Sequence, residues 1–253
     1  MQPAIHVKNF DFGYDEVPIF KKLNLQIPQG SRTLLAGANG VGKSTLLRIL
    51  AGRHMVDEKA IQILGRSPFH DASLVADIGF VDGDFPITLD MRVSEISTHS
   101  RAGVDATKEV ELIEILGVDL NWRMDRVSEG QRRRVQLMLA FRRNLKIFLL
   151  DEVTTHLDVL VRSDFLQWLK NESEKNGTTV VYTTHIFDGL WTGTSAPWAT
   201  HLAFLNSQGL KTMSGLSEIE ELKTPQPSPL LTLCEKWMRA DTNLSRELRF
   251  KAK

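Results

Sequence analysis

The segment Gly37-Ala38-Asn39-Gly40-Val41-Gly42-Lys43-Ser44 constrains this chain more than any other. It matches the pattern G-x4-GK[ST], follows the strand-like run SRTLLA and precedes the helix-forming run STLLRILAG. Such a loop works only between a buried strand and a helix N-terminus. Its glycines let successive backbone N–H groups converge on phosphates, and the helix end adds positive potential. Lys43 then reaches the distal phosphates and the Ser44 hydroxyl ligates Mg²⁺. The expected phosphate-binding set is Gly37, Asn39, Gly40, Gly42, Lys43, Ser44 and Thr45.

Strand and helix patterns alternate around that loop. AIHVKNFDFGY and VPIFKKLNLQIP read as strands separated by a turn, and AIQIL and IGFV add strand character between 60 and 81. From about 85 to 125 the period becomes helical; in DATKEVELIEILGV, Val110, Ile113 and Leu116 are expected on one apolar face. RRVQLMLAFRRN reads as a helix, KIFLLD as a buried strand, LVRSDFLQWLKNESEKNG as a helix ending at Gly177, and TTVVYTT as a strand. This alternation predicts an α/β fold with a mainly parallel sheet flanked by helices. The proline-rich TPQPSP, 224–229, leads into a terminal helix beginning PLLTLCEKWMRAD.

The run IFLLDE ends an apolar strand in two carboxylates. With the phosphate loop present, Asp151 is expected to hold the magnesium and Glu152 to act as general base on the attacking water. His185 follows TTVVYTT at the strand end that faces the ligand crevice of an open α/β sheet, where it can contact a γ-phosphate. The other six histidines are scattered without metal-ligand spacing.

Acidic and basic residues balance at 31 each, so no direct nucleic-acid or anionic-lipid surface is expected. The one cysteine, Cys234, excludes an internal disulfide and fits a reducing, cytoplasmic setting. The first residues lack a secretory-signal pattern, and no run approaches 18 apolar residues, so no membrane insertion is expected.

RVSEGQRRRV, 126–135, admits three readings alone: a nucleic-acid patch, a solvated helix face, or an anion site at a helix start. The order phosphate loop, Ser-x-Gly-Gln, LLDE, HLD, histidine resembles the ATP-binding-cassette (ABC) ATPases. That resemblance implies an ABC-type P-loop NTPase with a RecA-like parallel-sheet core, an N-terminal antiparallel β subdomain, an inserted helical subdomain and a C-terminal helical extension. The expected division is an ATPase domain over 1–215, with the helical subdomain at about 85–145, and a linker and extension over 216–253.

The family likeness also implies ATP and Mg²⁺ as ligands, and Ser128, Gly130 and Gln131 acting in trans on the γ-phosphate of a head-to-tail homodimer. Asp158 would lie at the dimer seam, with Arg132, Arg133 and Arg134 mostly solvated. Tyr14 takes the adenine-stacking position; Phe10, Phe12 and Tyr14 share a strand face, so core packing is the competing explanation. Glu129 stands where transport proteins usually carry glycine, and His156 replaces a small residue. Gly83, between Asp82 and Asp84, replaces the family's metal-site glutamine, and one of those carboxylates is expected to reach magnesium through water.

GRHMV, FHD at 69–71, WRMDRVSEGQRRRVQ, LLDEVTTHLDV and THIFDGL resemble a narrower group. These are the plant subfamily I ABC ATPases without membrane segments and the fungal ABC ATPase of the cytoplasmic deadenylase complex. The likeness runs over most of residues 5–240. It implies an ATP-hydrolysing switch for a soluble, by resemblance mRNA-regulatory, partner complex. The alternative is the nucleotide-binding subunit of a membrane transporter whose spanning chain is separate.

Overall fold

A computed structural model of the chain describes residues 2–83, 90–99, 101–191, 196–224 and 226–251, with side chains to Thr242 in the last helix. Asp84, one of the two acidic neighbours of Gly83, lies outside the described residues.

Two sheets and the helices around them make an α/β architecture. Strands β1 (Ile5–Tyr14), β2 (Val17–Ile27) and β4 (Ile61–Ile63) form an antiparallel sheet in the order β2-β1-β4. Asn9 and Lys22 have φ of 45° and 49°, and the β1–β2 register shifts between Val7 and Phe10. A one-residue shift moves every later side chain to the other face. Because both strands shift, Ile5, Val7 and Phe10 stay buried on one side together with Ile27, Leu25, Leu23 and Phe20.

The second sheet contains β3 (Arg32–Gly37), β5 (Ile78–Val81), β6 (Ile147–Asp151), β7 (Thr179–Thr183), β8 (His201–Asn206) and β9 (Gly209–Gly215). Its order is β5-β6-β7-β3-β8-β9, parallel except for the antiparallel β8–β9 pair at the edge. Strands β8 and β9 are not among those expected from the sequence pattern. Alternate residues serve two cores, as a sheet covered on both faces requires. Leu35, Leu149, Val181 and Leu205 pack with the small sheet and α1 (Lys43–Leu50). Leu34, Phe148, Leu150, Tyr182 and Phe204 pack on the opposite side.

That opposite core is covered by α3 (Ala106–Leu116), α4 (Glu129–Phe141), α5 (Val159–Asn176) and α6 (Pro229–Lys251), with α2 (Val93–His99) beyond. Asp105 caps the start of α3 and left-handed Gly117 ends it; Asp158 and Gly177 do the same for α5. The expected apolar face of α3 needs correction at Val110, which is 64% exposed. The buried side carries Lys108, Glu109, Leu112 and Leu116. Two charged residues hold apolar-looking positions there because Lys108 Nζ pairs with Glu172 at 2.7 Å and Glu109 pairs with Arg142.

Helix α6 docks on its own chain. Leu230, Leu233, Cys234 and Trp237 are buried, Trp237 meets Phe204 edge-on at 5.1 Å, and Lys211 Nζ lies 4.4 Å over its ring.

Candidate nucleotide site

The parallel register brings the C-terminal ends of β3, β6 and β7 to one edge of the sheet, where open α/β sheets bind ligands. Beyond fully buried β3, the chain turns through the glycine-rich loop into α1. Gly42 makes the turn at φ 101°, and a Cβ there would stand 2.7 Å from Ile19 and 2.8 Å from Phe20, so no other residue fits. The loop closes around Lys43, whose Nζ donates to the carbonyls of Gly37 at 2.8 Å and Ala38 at 3.0 Å. Burial lowers the Lys43 pKa from its ordinary value, against the opposing pull of Glu152 and Asp151. A hollow of about 420 Å³ opens above the loop, lined by Ile19, Asn39, Gly40, Gly42, Lys43, Ser44, Thr45 and Glu152.

Asp151 ends β6 buried, and its Oδ1 accepts the Thr183 hydroxyl proton at 2.6 Å. Glu152 then leaves the strand with φ 51°, a left-handed value that costs a non-glycine residue energy and concentrates at functional sites. Its N–H donates to both the carbonyl and the hydroxyl of Thr183, each at 3.1 Å. That pair of bonds holds the strained turn; Glu152 lines the hollow, and its Oε1 lies 3.0 Å from Nε2 of His185, which does not line it. Thr183 went unnoticed in the sequence because threonine is ordinary in strands; its place two residues before His185 is the only signal.

Ser128 caps α4 and forms a reciprocal capping box with Gln131. Neither residue lines the hollow over the chain's own phosphate loop. Gly130 allows the helix start to lie against the segment after β6: a Cβ would fall 2.8 Å from the His156 carbonyl oxygen. Glu129 Oε1 meets His156 Nε2 at 3.2 Å beside it, so the two departures from the family pattern contact one another.

The expectation of solvated arginines needs correction. Arg133 is buried and donates to the Gln136 side chain and the Asp82 carbonyl; Arg134 pairs with Asp158 at 2.6 Å; Arg132 is half-buried. Asp82, just after β5, also gives one carboxylate oxygen to Arg48 of α1 at 3.1 Å. A Cβ on Gly83 would meet nothing within 4 Å, so packing does not require glycine there. Tyr14 sits outside the hollow lining: its ring packs on Phe12, and its hydroxyl is 3.1 Å from His54 Nε2.

Residues 20–155 match the family model described as ABC transporter. The chain is 45% identical over 263 residues to ABC transporter I family member 21 of Arabidopsis thaliana, covering 98% of this chain and 90% of that protein. It is 38% identical to CCR4-associated factor 16 of Saccharomyces cerevisiae, covering 81% and 76%. In fold it resembles an ATP-binding cassette solved as a post-hydrolysis dimer with ADP and Pi, at TM-score 0.69 and 24% identity over 84% of this chain and 98% of that one. A bacterial Atm1-family ABC exporter with ATP bound aligns at TM-score 0.72 and 22% identity, over 85% of this chain and 39% of that one. Among the described residues no helix is long and apolar enough to cross a membrane. With a phosphate loop, a buried acidic strand end and these relatives, the chain belongs to the ABC transporter family, as an ATP hydrolase of the cassette type.

Proposed function

We propose that two copies of this chain close head-to-tail around ATP, and that the closed and open states are sensed by a soluble partner complex in the cytoplasm. The observation that carries the reading is the placement of Glu152 beside both the phosphate loop and His185. In this reading Glu152 accepts the proton of the attacking water, and His185 holds that water and the γ-phosphate. Residues 1–215 form the ATPase domain, with the inserted helices at about 85–145, and 216–253 form the linker and extension.

The groups present suit a magnesium ion, which takes hard oxygen ligands and is usually held by one or two carboxylates plus substrate phosphates. Among the described residues no cluster of three or more histidine, cysteine or acidic side chains forms a metal cage. Ser44 and Asp151 would hold the ion, its other ligands coming from phosphate and water. When bound, it would neutralise charge developing on the phosphoryl oxygens.

Because Ser128, Gly130 and Gln131 do not line their own hollow, we assign them to the γ-phosphate held by the second copy, with Asp158 at the seam. Moving such a switch from mostly open to mostly closed needs a differential affinity of roughly 5 kcal/mol. Charge-assisted contacts to two enclosed phosphates are of that order. CCR4-associated factor 16 is named for its association with CCR4; we extend to this chain only the expectation of a soluble, mRNA-regulatory complex. Tyr14 remains our candidate for the base, on condition that it leaves His54 when nucleotide binds.

The test uses Glu152→Gln protein purified from its own cells with and without Mg-ATP. Turnover should fall by about 10²–10⁴-fold while ATP binding persists and a dimer accumulates. Parent-rate turnover would end the general-base assignment. Retention of a multi-spanning membrane protein would replace the switch with the separate-transporter reading.

A further inference from the structure

The first residue of α4 is a glutamate, at the helix end assigned above to a phosphate. The first N–H groups of a helix have no helical partners, and the positive end of the helix attracts negative charge. In α4 the Gln131 N–H donates to the Ser128 hydroxyl oxygen at 3.2 Å and the Arg132 N–H to the Ser128 carbonyl at 2.9 Å. The N–H groups of Glu129 and Gly130 lie ahead of those bonds, on the side open to an anion. A carboxylate on Glu129 is drawn to that end as a phosphate is, and would repel a phosphate seated there.

His156 gives that carboxylate another partner, its Nε2 lying 3.2 Å from Glu129 Oε1. With its proton on Nε2 the neutral ring donates a hydrogen bond to Oε1, and the protonated ring adds an opposite charge. The backbone around His156 is fixed. Thr155 Oγ1 donates to the Glu152 carbonyl at 2.9 Å, the Leu157 N–H to the Thr154 carbonyl at 3.1 Å, and Asp158 pairs with Arg134 of α4 at 2.6 Å. The His156 carbonyl oxygen also rests against Gly130, where a Cβ would stand 2.8 Å from it. One residue therefore meets the helix start twice, Glu129 through its ring and Gly130 through its backbone.

We propose that His156 is a positioning residue for the trans contact: by engaging the Glu129 carboxylate it stops that charge from competing with the γ-phosphate held by the second copy. This rests on the head-to-tail reading. Glu129 and His156 are then a compensating pair, in which the charge brought by one departure from the family pattern is answered by the other.

Sedimentation equilibrium of the full chain carrying Glu152→Gln, with Mg-ATP, reads the dimer dissociation constant. Glu129 and His156 are both exposed, so replacing them opens no core. His156→Ala should weaken the dimer by about tenfold or more, because an unengaged carboxylate then faces phosphate. Adding Glu129→Gln removes the charge and should bring the constant back to within about threefold of the protein with neither change. A His156→Ala protein that dimerises as tightly as its parent overturns the inference. So does a loss that Glu129→Gln leaves in place, since His156 would then act through packing alone. A parent that stays monomeric in Mg-ATP overturns the head-to-tail reading, and this inference with it, before either substitution is made.

Discussion

Arg134 Nη2 donates to Asp158 Oδ2 across 2.6 Å, fastening the second turn of α4 to the first residue before α5. Asp158 already accepts the N–H groups of Leu160 and Val161, each at 3.1 Å. The Val161 bond, outweighing slight desolvation and joined by the Arg134 charge, holds its carboxyl below the usual range. One side chain therefore caps a helix and joins two elements of the site.

Replacing Asp158 by alanine should cost about 0.5–2 kcal/mol through the lost cap, and by asparagine much less, since asparagine caps as well. Urea unfolding of the two variants makes the comparison. Equal losses in both would mean that the charge toward Arg134, rather than the cap, supplies the stability.

Gly130 and Gly83 give a matched pair. A methyl group on Gly130 would lie 2.8 Å from the His156 carbonyl oxygen, a backbone atom that cannot swing away, whereas one on Gly83 would meet nothing within 4 Å. Gly130→Ala should destabilise by about 1–3 kcal/mol, and Gly83→Ala should stay within about 0.5 kcal/mol of the parent. Thermal unfolding of both decides it. Indistinguishable melting temperatures would mean that α4 does not rest on the segment after β6.

Strands β1 to β7, the phosphate loop and the acidic strand end were legible because each is a local pattern: an apolar run, a glycine spacing, a carboxylate pair. What the sequence hid depends on distant partners. Arg133 and Arg134 read as solvated because nothing near them in the chain is acidic except Glu129, yet the Asp82 carbonyl and Asp158 cover them. The burial of Lys108 and Glu109 has no local signal, because their partners, Glu172 on α5 and Arg142 just past α4, are distant in the chain. Val110 misled for the complementary reason: an apolar residue at helical spacing can still face solvent when ion pairs occupy the buried side. Strands β8 and β9 were missed because HLAFLN offers only a four-residue apolar run and GLKTMSG alternates weakly.

Glu109 carries a pH prediction. Burial pushes its carboxyl up, but hydrogen bonds from Ser97 and Arg142, with the charges of Arg142 and Arg101, bring it below the ordinary value overall. A carboxyl whose pKa is lower folded than unfolded contributes stability above the unfolded value, near 4.3, and loses it as pH falls through the folded one. Arg142 is 1% exposed, so removing its partner by Glu109→Gln should cost about 3–5 kcal/mol near neutral pH. The gap between parent and variant should narrow as pH falls below the ordinary glutamate range. Unfolding midpoints at about pH 7 and pH 3 test this; a gap of constant size would mean that Glu109 is not ionised against Arg142.

Cys234 reports whether α6 stays seated. It faces the core between Leu230 and Trp237, and burial pushes its thiol up to about 12. Thiolate is the reactive form, so at pH 8 roughly one such thiol in ten thousand is ionised, against about one in four for an ordinary thiol near 8.5. Ellman's reagent should therefore modify the native protein only through openings that lift α6, and at the ordinary rate in denaturant. Modification at the free-thiol rate in the native protein would show that α6 is not docked.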